Sequence, residues 1–117
     1  MFIAYIIVAI LMSALLVMSS IGKLRKDPKQ VHSIHEVVGV PMIWLPWLAA
    51  CEIAGAVGLL VGIFWWPLSL AAAIGVVIYF IGAVVGHLLA KDFKNVTTPL
   101  IPFIFAVVVL VLRLLSI

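Results

Sequence analysis

Cysteine and charge are both scarce in this sequence. Cys51 is the only cysteine, so a single chain cannot form an internal disulfide, a CxxC redox pair or a cysteine-based zinc site. Four-helix thiol oxidoreductases that act through cysteine pairs are therefore excluded. Charged residues make up 9% of the chain and hydrophobic residues 68%, whereas about a quarter of an ordinary soluble domain is charged. These values indicate an integral membrane protein.

Common catalytic and nucleotide-binding motifs are also missing. The sequence has no phosphate-binding loop, no dinucleotide fingerprint and no nucleophile triad. The first residues lack the basic region of a signal peptide, and the apolar stretch runs to Ile21 without a small-residue cleavage site. We therefore expect the first segment to remain as a transmembrane helix, and residues 1–117 to form a single domain.

Four apolar runs have the length of about 17 to 25 residues that a membrane-spanning helix requires. They cover residues 2–21, 42–64, 67–90 and 99–117. The sequence thus predicts an all-α fold, an integral membrane bundle of four transmembrane helices. In the first linker, apolar residues recur at helical spacing between an Asp27-Pro28 start and a Gly39 stop, which favours a short interfacial helix over an irregular loop.

The basic residues are distributed unevenly among the linkers. Residues 22–41 and 91–98 together hold six of the seven lysines and arginines, and the remaining one is Arg113. By the positive-inside rule, these two loops are expected to be cytoplasmic and both termini outside. Membrane topology and the attraction of these basic loops to anionic lipid headgroups explain the net charge of +3. No nucleic acid partner is therefore expected.

Glu52 is the most informative residue, because it lies in a span that otherwise carries no charge. Ten positions of helical rise from Met42 place it roughly 15 Å deep in a hydrocarbon layer ~30 Å thick. A carboxyl at this depth costs at least ~2.5 kcal/mol, so an intramembrane acid suggests a functional site and calls for a partner.

Several polar residues are candidate neighbours of Glu52. Ser13, Ser20 and Lys23 share the inward face of the first span, and Ser13 can donate a hydrogen bond either to Glu52 or to a carbonyl of its own helix. Arg113 either extends to the outer headgroups or bends inward towards Glu52. A partner beside the Glu52 carboxyl would keep the acid ionised.

Small residues mark the predicted helix interfaces. Glycines form stripes on the second and third spans and let helix backbones approach closely, so we predict that they are packing surface. They are Gly55, Gly58, Gly62, Gly75, Gly82 and Gly86.

Histidines occur only on the predicted cytoplasmic side. His32, His35 and Glu36 share one face of the linker helix but match neither HExxH nor HxxEH. We therefore favour contacts with lipid headgroups and predict no metal site.

Four segments together resemble the DoxX-like family of small bacterial membrane proteins. They are residues 19–24 (SSIGKL), 38–41 (VGVP), 52–60 (EIAGAVGLL) and 79–87 (YFIGAVVGH). The resemblance implies a four-helix bundle in the bacterial inner membrane and suggests Lys23 and Glu52 as the charged positions of the family's motifs. Its members are associated with quinone-linked sulfur oxidation, oxidative-stress complexes or assembly of partner membrane proteins. A quinone is accordingly the one candidate cofactor.

The leading functional hypothesis is an accessory membrane subunit. It would bind another membrane protein or a second copy of itself, and a quinone or lipid-like ligand near Glu52. One alternative is a proton-coupled transporter of the small multidrug resistance type, although that family carries its acid in the first span. A second alternative is an enzyme acting on a lipid-like substrate, with Glu52 as general acid or base beside Tyr79 or Ser13.

Overall fold

A computed structural model describes residues 1–94 and 97–117, except for the side chains of Ser33 and Val37. These residues form helices and connecting turns, with no strand among them. The helices are α1 (Phe2–Leu24), α2 (Pro28–Val31), α3 (Leu45–Val61), α4 (Trp66–Leu89) and α5 (Thr97–Ser116). The all-α fold predicted from the sequence is confirmed.

The short helix predicted in the first linker is present. The Asp27 carboxylate accepts a hydrogen bond from the Lys29 backbone N–H at 3.4 Å, as expected of an N-cap residue. From Pro28 the chain runs through α2 into a π-helical turn, His32–Val37. We call residues 28–37 the linker helix. Gly39 follows with a φ of +89°, a conformation that glycine adopts without strain.

All four long helices differ from the predicted spans by one to three residues at their ends, and for three of them a local reason is visible. Helix α1 continues to Leu24, because the first strong helix breaker after Ile21 is the Asp27-Pro28 pair. A 3₁₀ turn, Met42–Trp44, precedes α3. Helix α3 ends at Val61 and the backbone is extended at Trp65, so that Pro67 lies in the first turn of α4.

Four helices in the described part of the chain are long and apolar enough to cross a membrane: α1, α4, α5, and α3 together with its 3₁₀ turn. Their outer faces carry large exposed apolar side chains, such as Ile7, Ile78 and Ile104. In water, faces this apolar would be unfavourable, whereas lipid tails solvate them. The chain is a multi-pass membrane protein.

The four long helices form a closed bundle. Helix α1 packs against α3 and α5, and α4 packs against the same two helices from the opposite side. The core between them is completely buried at Tyr5, Met12 and Leu59. Tyr5 also donates a hydrogen bond from its hydroxyl to the Leu59 carbonyl of α3, at 2.9 Å.

Two glycines of α3, and Gly62 at its C-terminal cap, allow α3 to approach α4 closely. A Cβ atom built on Gly58 would lie 2.7 Å from the Cβ of Ala72, and one on Gly55 would lie 2.7 Å from a methyl group of Val76. Gly62 meets the side chain of Ser69 in the same way. Side chains at these positions would separate the two helices.

The glycines of α4 behave differently from those of α3. No atom lies within 4 Å of a Cβ built on Gly75 or Gly82, so the helix packing predicted for these two residues is not found within the chain. Both glycines border cavities instead. Gly86 does make a close approach, but to Val38 after the linker helix and not to another span.

Candidate functional site

Glu52 lies inside the bundle and is paired with a lysine. It is the eighth residue of α3, about 10 Å along the helix from its start. Lys23 stands in the last turn of α1, and its ammonium Nζ lies 2.5 Å from Oε1 of Glu52. The side chains are 6% and 0% exposed, respectively. The acid therefore has a buried cationic partner on a neighbouring helix.

A third helix completes this polar cluster. The Tyr79 hydroxyl of α4 donates a hydrogen bond to the same Oε1 atom at 3.1 Å. Lys23 donates a further hydrogen bond to the Ser19 hydroxyl at 2.7 Å. In the described part of the chain, no hydrogen-bond partner reaches Oε2 of Glu52. We refer to Lys23, Glu52, Tyr79 and Ser19 as the polar cluster.

The two serines singled out on α1 lie outside this cluster. Ser13 donates to the Ala56 carbonyl of α3 at 3.3 Å and not to Glu52. Ser20 donates to the Val17 carbonyl of its own helix at 2.7 Å. Ser13 thus joins α1 to α3 one turn beyond the acid, and it makes neither of the two hydrogen bonds considered for it, to Glu52 or to a carbonyl of its own helix.

Arg113 is buried, and the inward contact with Glu52 that was one of its two alternatives is not found. Its guanidinium donates to the Gly62 carbonyl at 3.3 Å, and its Cζ atom lies 4.7 Å from the ring centroid of Tyr5. Gly62 is ten residues beyond Glu52 on α3, about 15 Å along the helix axis. The guanidinium therefore cannot reach the acid, and it lies instead against the aromatic rings of Tyr5 and Phe2.

The polar cluster borders an apolar cavity of about 560 Å³. We call it the linker cavity, because the linker helix forms part of its wall. Lys23, Tyr79 and Ser19 line it, together with Lys29, Gln30, His87 and Thr98. The remaining lining is apolar and comes from all four long helices and from the first linker, including Leu15, Ile34, Trp44, Phe80 and Pro102.

A second cavity, of about 570 Å³, lies between α3 and α4. Glu52 and Tyr79 line it, and small residues such as Gly55 and Gly75 form much of its wall. Tyr79 lines both cavities, whereas Lys23 lines only the linker cavity. The hydrogen bond between Tyr79 and Glu52 thus lies at the boundary of the two cavities.

Comparison with known proteins relates this arrangement to a family. The family model described as the DoxX-like family matches residues 7–111. The chain belongs to the DoxX-like family. The match includes α1 from Ile7 onward, the linker helix, α3, α4 and most of α5, so it takes in every residue of the polar cluster. A search of curated proteins and a search of solved structures found no match.

The exposed histidines of this DoxX-like protein form local hydrogen bonds. His32 Nδ1 lies 2.7 Å from Oε2 of Glu36, and His35 Nδ1 lies 2.8 Å from the Val40 carbonyl oxygen. Within residues 1–94 and 97–117, no group of three or more His, Cys, Asp or Glu side chains is placed to hold a metal ion.

Two residues near the cluster were missed by sequence reasoning. Ser19 precedes Ser20 in the chain, and the helical-face argument selected only the latter. Gln30 donates from its side-chain amide to the Ser19 carbonyl at 3.0 Å, which fastens the linker helix to the end of α1. The helical spacing of Ser19 and Lys23, four residues apart, is the signal that could have identified the first of them.

Proposed function

We propose that this DoxX-like protein is an accessory subunit of a bacterial inner membrane complex that binds a lipid-soluble ligand, either lipid-like or a quinone, in the linker cavity. The observation that carries the proposal is the meeting of an apolar cavity with buried Lys23 and Tyr79, both bonded to Glu52. Ligand sites are mostly apolar, with a few polar groups that orient the ligand. The linker cavity has this composition, and its volume lies within the usual range of roughly 300 to 1,000 Å³.

The ion pair favours binding over independent chemistry. Lys23 neutralises Glu52 from within the chain, so the charge is balanced before any ligand enters. The Lys23 ammonium keeps one N–H donor for a ligand carbonyl, hydroxyl or carboxylate group, and the Tyr79 oxygen can accept a hydrogen bond from a ligand hydroxyl. We propose that the partner protein contacts the exposed membrane face of the bundle, and co-purification after crosslinking in native membranes tests this part. Repeated recovery of the chain alone would contradict it.

Tryptophan fluorescence can test the ligand. Trp44 lines the linker cavity, whereas Trp65 lies in the turn between α3 and α4 at the other end of the bundle. We would compare a variant that keeps only Trp44 with one that keeps only Trp65, each with Phe at the other three tryptophans. The quenching probes are ubiquinone-1 and 9,10-dibromostearate, in detergent micelles.

We expect at least one probe to quench Trp44 in a saturable way. This quenching should exceed that of Trp65, which reports only the partition of the probe into the micelle. Gly82→Phe should remove it, because Gly82 borders the linker cavity with open space beside it. Equal and non-saturable quenching of both tryptophans by both probes would contradict ligand binding in this cavity.

An enzyme acting on a lipid-like substrate is a second candidate, favoured by the Tyr79 hydroxyl at 3.1 Å from the carboxylate. A positioned hydroxyl beside an acid supplies the second acid-base group that such catalysis needs. Turnover that Glu52→Gln abolishes, in a protein that still folds, would support this candidate.

Proton-coupled transport is less well supported, because its acid must alternate between proton and substrate whereas Lys23 already pairs with Glu52. A pH-driven cation flux in liposomes, lost in Glu52→Gln, would be needed to reinstate it.

A further inference from the structure

The lining of the linker cavity is basic. Lys23, Lys29 and His87 line it, and no aspartate or glutamate does so in the part of the chain that the structure describes. Glu52 contacts Lys23 from behind this wall and has a side chain that is 0% exposed. A molecule in the cavity therefore meets ammonium groups but no carboxylate.

Lys29 is the cation best placed for an incoming ligand. It is exposed, it belongs to the linker helix, and its ammonium has no carboxylate within 4.0 Å among the described residues. Lys23, in contrast, is already bound to Glu52 and Ser19. The charge at Lys29 is thus free to pair with an anion.

The interior of the cavity is apolar. Leu15, Leu48 and Phe80 line it, and its volume of about 560 Å³ is in the range of a small ligand. An apolar interior beside an unpaired cation matches a molecule with a hydrocarbon chain and one negatively charged end. The same volume favours a single chain over the two chains of a phospholipid.

We propose that the linker cavity takes a single-chain carboxylate amphiphile of the fatty-acid type, with its carboxylate against Lys29 and its chain towards Phe80. This inference rests on the proposed function, since it names the ligand class of that same cavity. The ligand partitions from the bilayer into the cavity beside the linker helix. Lys29 binds the charged end of the ligand by ion pairing, and the four long helices exclude water from the hydrocarbon chain of the ligand.

The test compares two probes with the same hydrocarbon chain, one ending in a carboxylate and the other in an uncharged methyl ester. The variant that keeps only Trp44 is titrated with 9,10-dibromostearate and with its methyl ester, and the quenching of its fluorescence is measured. The variant that keeps only Trp65 gives the quenching due to partition of each probe into the micelle, which is subtracted. The acid should bind about five-fold more tightly than the ester, the ratio that ~1 kcal/mol of ion pairing gives. Added salt should reduce the ratio, because the pair is near the surface.

A matched pair of lysine variants locates the effect. Lys29→Gln should bring the acid to the affinity of the ester, whereas Lys26→Gln, in the same linker but not in the cavity wall, should preserve the five-fold ratio. Equal affinities of acid and ester for the unmodified cavity would overturn the inference while leaving ligand binding intact. An equal loss in both lysine variants would also overturn it, since a general surface charge would then be responsible. If neither 9,10-dibromostearate, its methyl ester nor ubiquinone-1 quenches Trp44 in a saturable way, the proposed function is overturned as well.

Discussion

The Lys23–Glu52 pair is the residue-scale feature on which the site depends. Removing both ions from water is costly, and their attraction in a low-dielectric bundle offsets that cost only when the geometry is good. Here the Nζ and Oε1 atoms are 2.5 Å apart, and Ser19 and Tyr79 add hydrogen bonds. The pair therefore holds α1 against α3, and it leaves one carboxylate oxygen without a hydrogen-bond partner among the described residues.

A double-mutant cycle should reveal this coupling. Glu52→Leu leaves a buried ammonium unpaired, and Lys23→Met leaves a buried carboxylate unpaired, so each single change should destabilise the protein by roughly 3 to 5 kcal/mol. The double variant should lose less than the sum, because it leaves neither charge behind. Unfolding in detergent micelles, followed by tryptophan fluorescence, measures all four proteins. Additive losses would show that the two side chains are not paired.

Arg113 supports the opposite end of the bundle. Its guanidinium contacts the Gly62 carbonyl and the faces of Tyr5 and Phe2, so it joins α5 to α3 and α1. Arg113→Lys should lower the unfolding midpoint, because an ammonium cannot match the planar stacking of a guanidinium. A desolvated cation–π contact is worth about 2 kcal/mol.

Tyr5→Phe is the matched control for Arg113. It keeps the aromatic face but removes the hydrogen bond to the Leu59 carbonyl, which should cost about 1 kcal/mol. An Arg113→Lys variant as stable as the parent would show that the cation–π contact contributes nothing.

At the scale of elements, the seam between α3 and α4 depends on glycines of one helix only. Gly58→Leu should separate the two helices and impair folding, because its Cβ would lie 2.7 Å from the Cβ of Ala72. Gly75→Leu, on α4, should preserve the fold, since a Cβ there meets open space. The yield of monodisperse protein and its thermal midpoint compare the two variants. Equal tolerance of both would mean that this seam is assigned incorrectly.

The length of the helices could be predicted from the sequence, but the orientation of α4 could not. Apolar runs and the Pro67 start define the spans to within a few residues. The glycine stripe on α4 resembles a packing face, yet Gly75 and Gly82 border cavities. Small residues permit both close packing and open space, and only the neighbouring helix decides between them.

The candidate site was predicted only in part. Burial of Glu52 in the bundle followed from its position among glycines on one helical face. Lys23 was among the candidate neighbours of Glu52 but was not singled out, because it is near the end of α1 and only the length of its side chain brings the ammonium back to the acid. Ser13 is at a better depth but turns to the Ala56 carbonyl. Depth along a helix therefore did not decide among the candidate partners, because the reach of the lysine side chain also matters.

The whole molecule has one strongly basic end. The linker at residues 22–41 and the described residues 91–94 of the later linker are at this end, as is the linker cavity. We predict that it faces the cytoplasm. In a Cys51→Ser background, a membrane-impermeant thiol reagent applied to intact cells should label Phe64→Cys in the opposite turn but not Lys26→Cys. The reverse labelling would invert the orientation and place the cavity on the outer side.

The central claim is that Lys23 and Glu52 form a buried pair inside a membrane-embedded bundle. Solid-state NMR of the protein in lipid bilayers can measure the dipolar coupling between ¹⁵N-labelled lysine ammonium and ¹³C-labelled glutamate carboxyl groups. The chain has only two glutamates, so Glu36→Gln leaves Glu52 as the single carboxyl observed. We predict a dipolar coupling between a lysine ammonium and the Glu52 carboxyl carbon that corresponds to direct contact, and we predict that it disappears in Lys23→Met. A Glu52 carboxyl without coupling to any lysine would contradict the account.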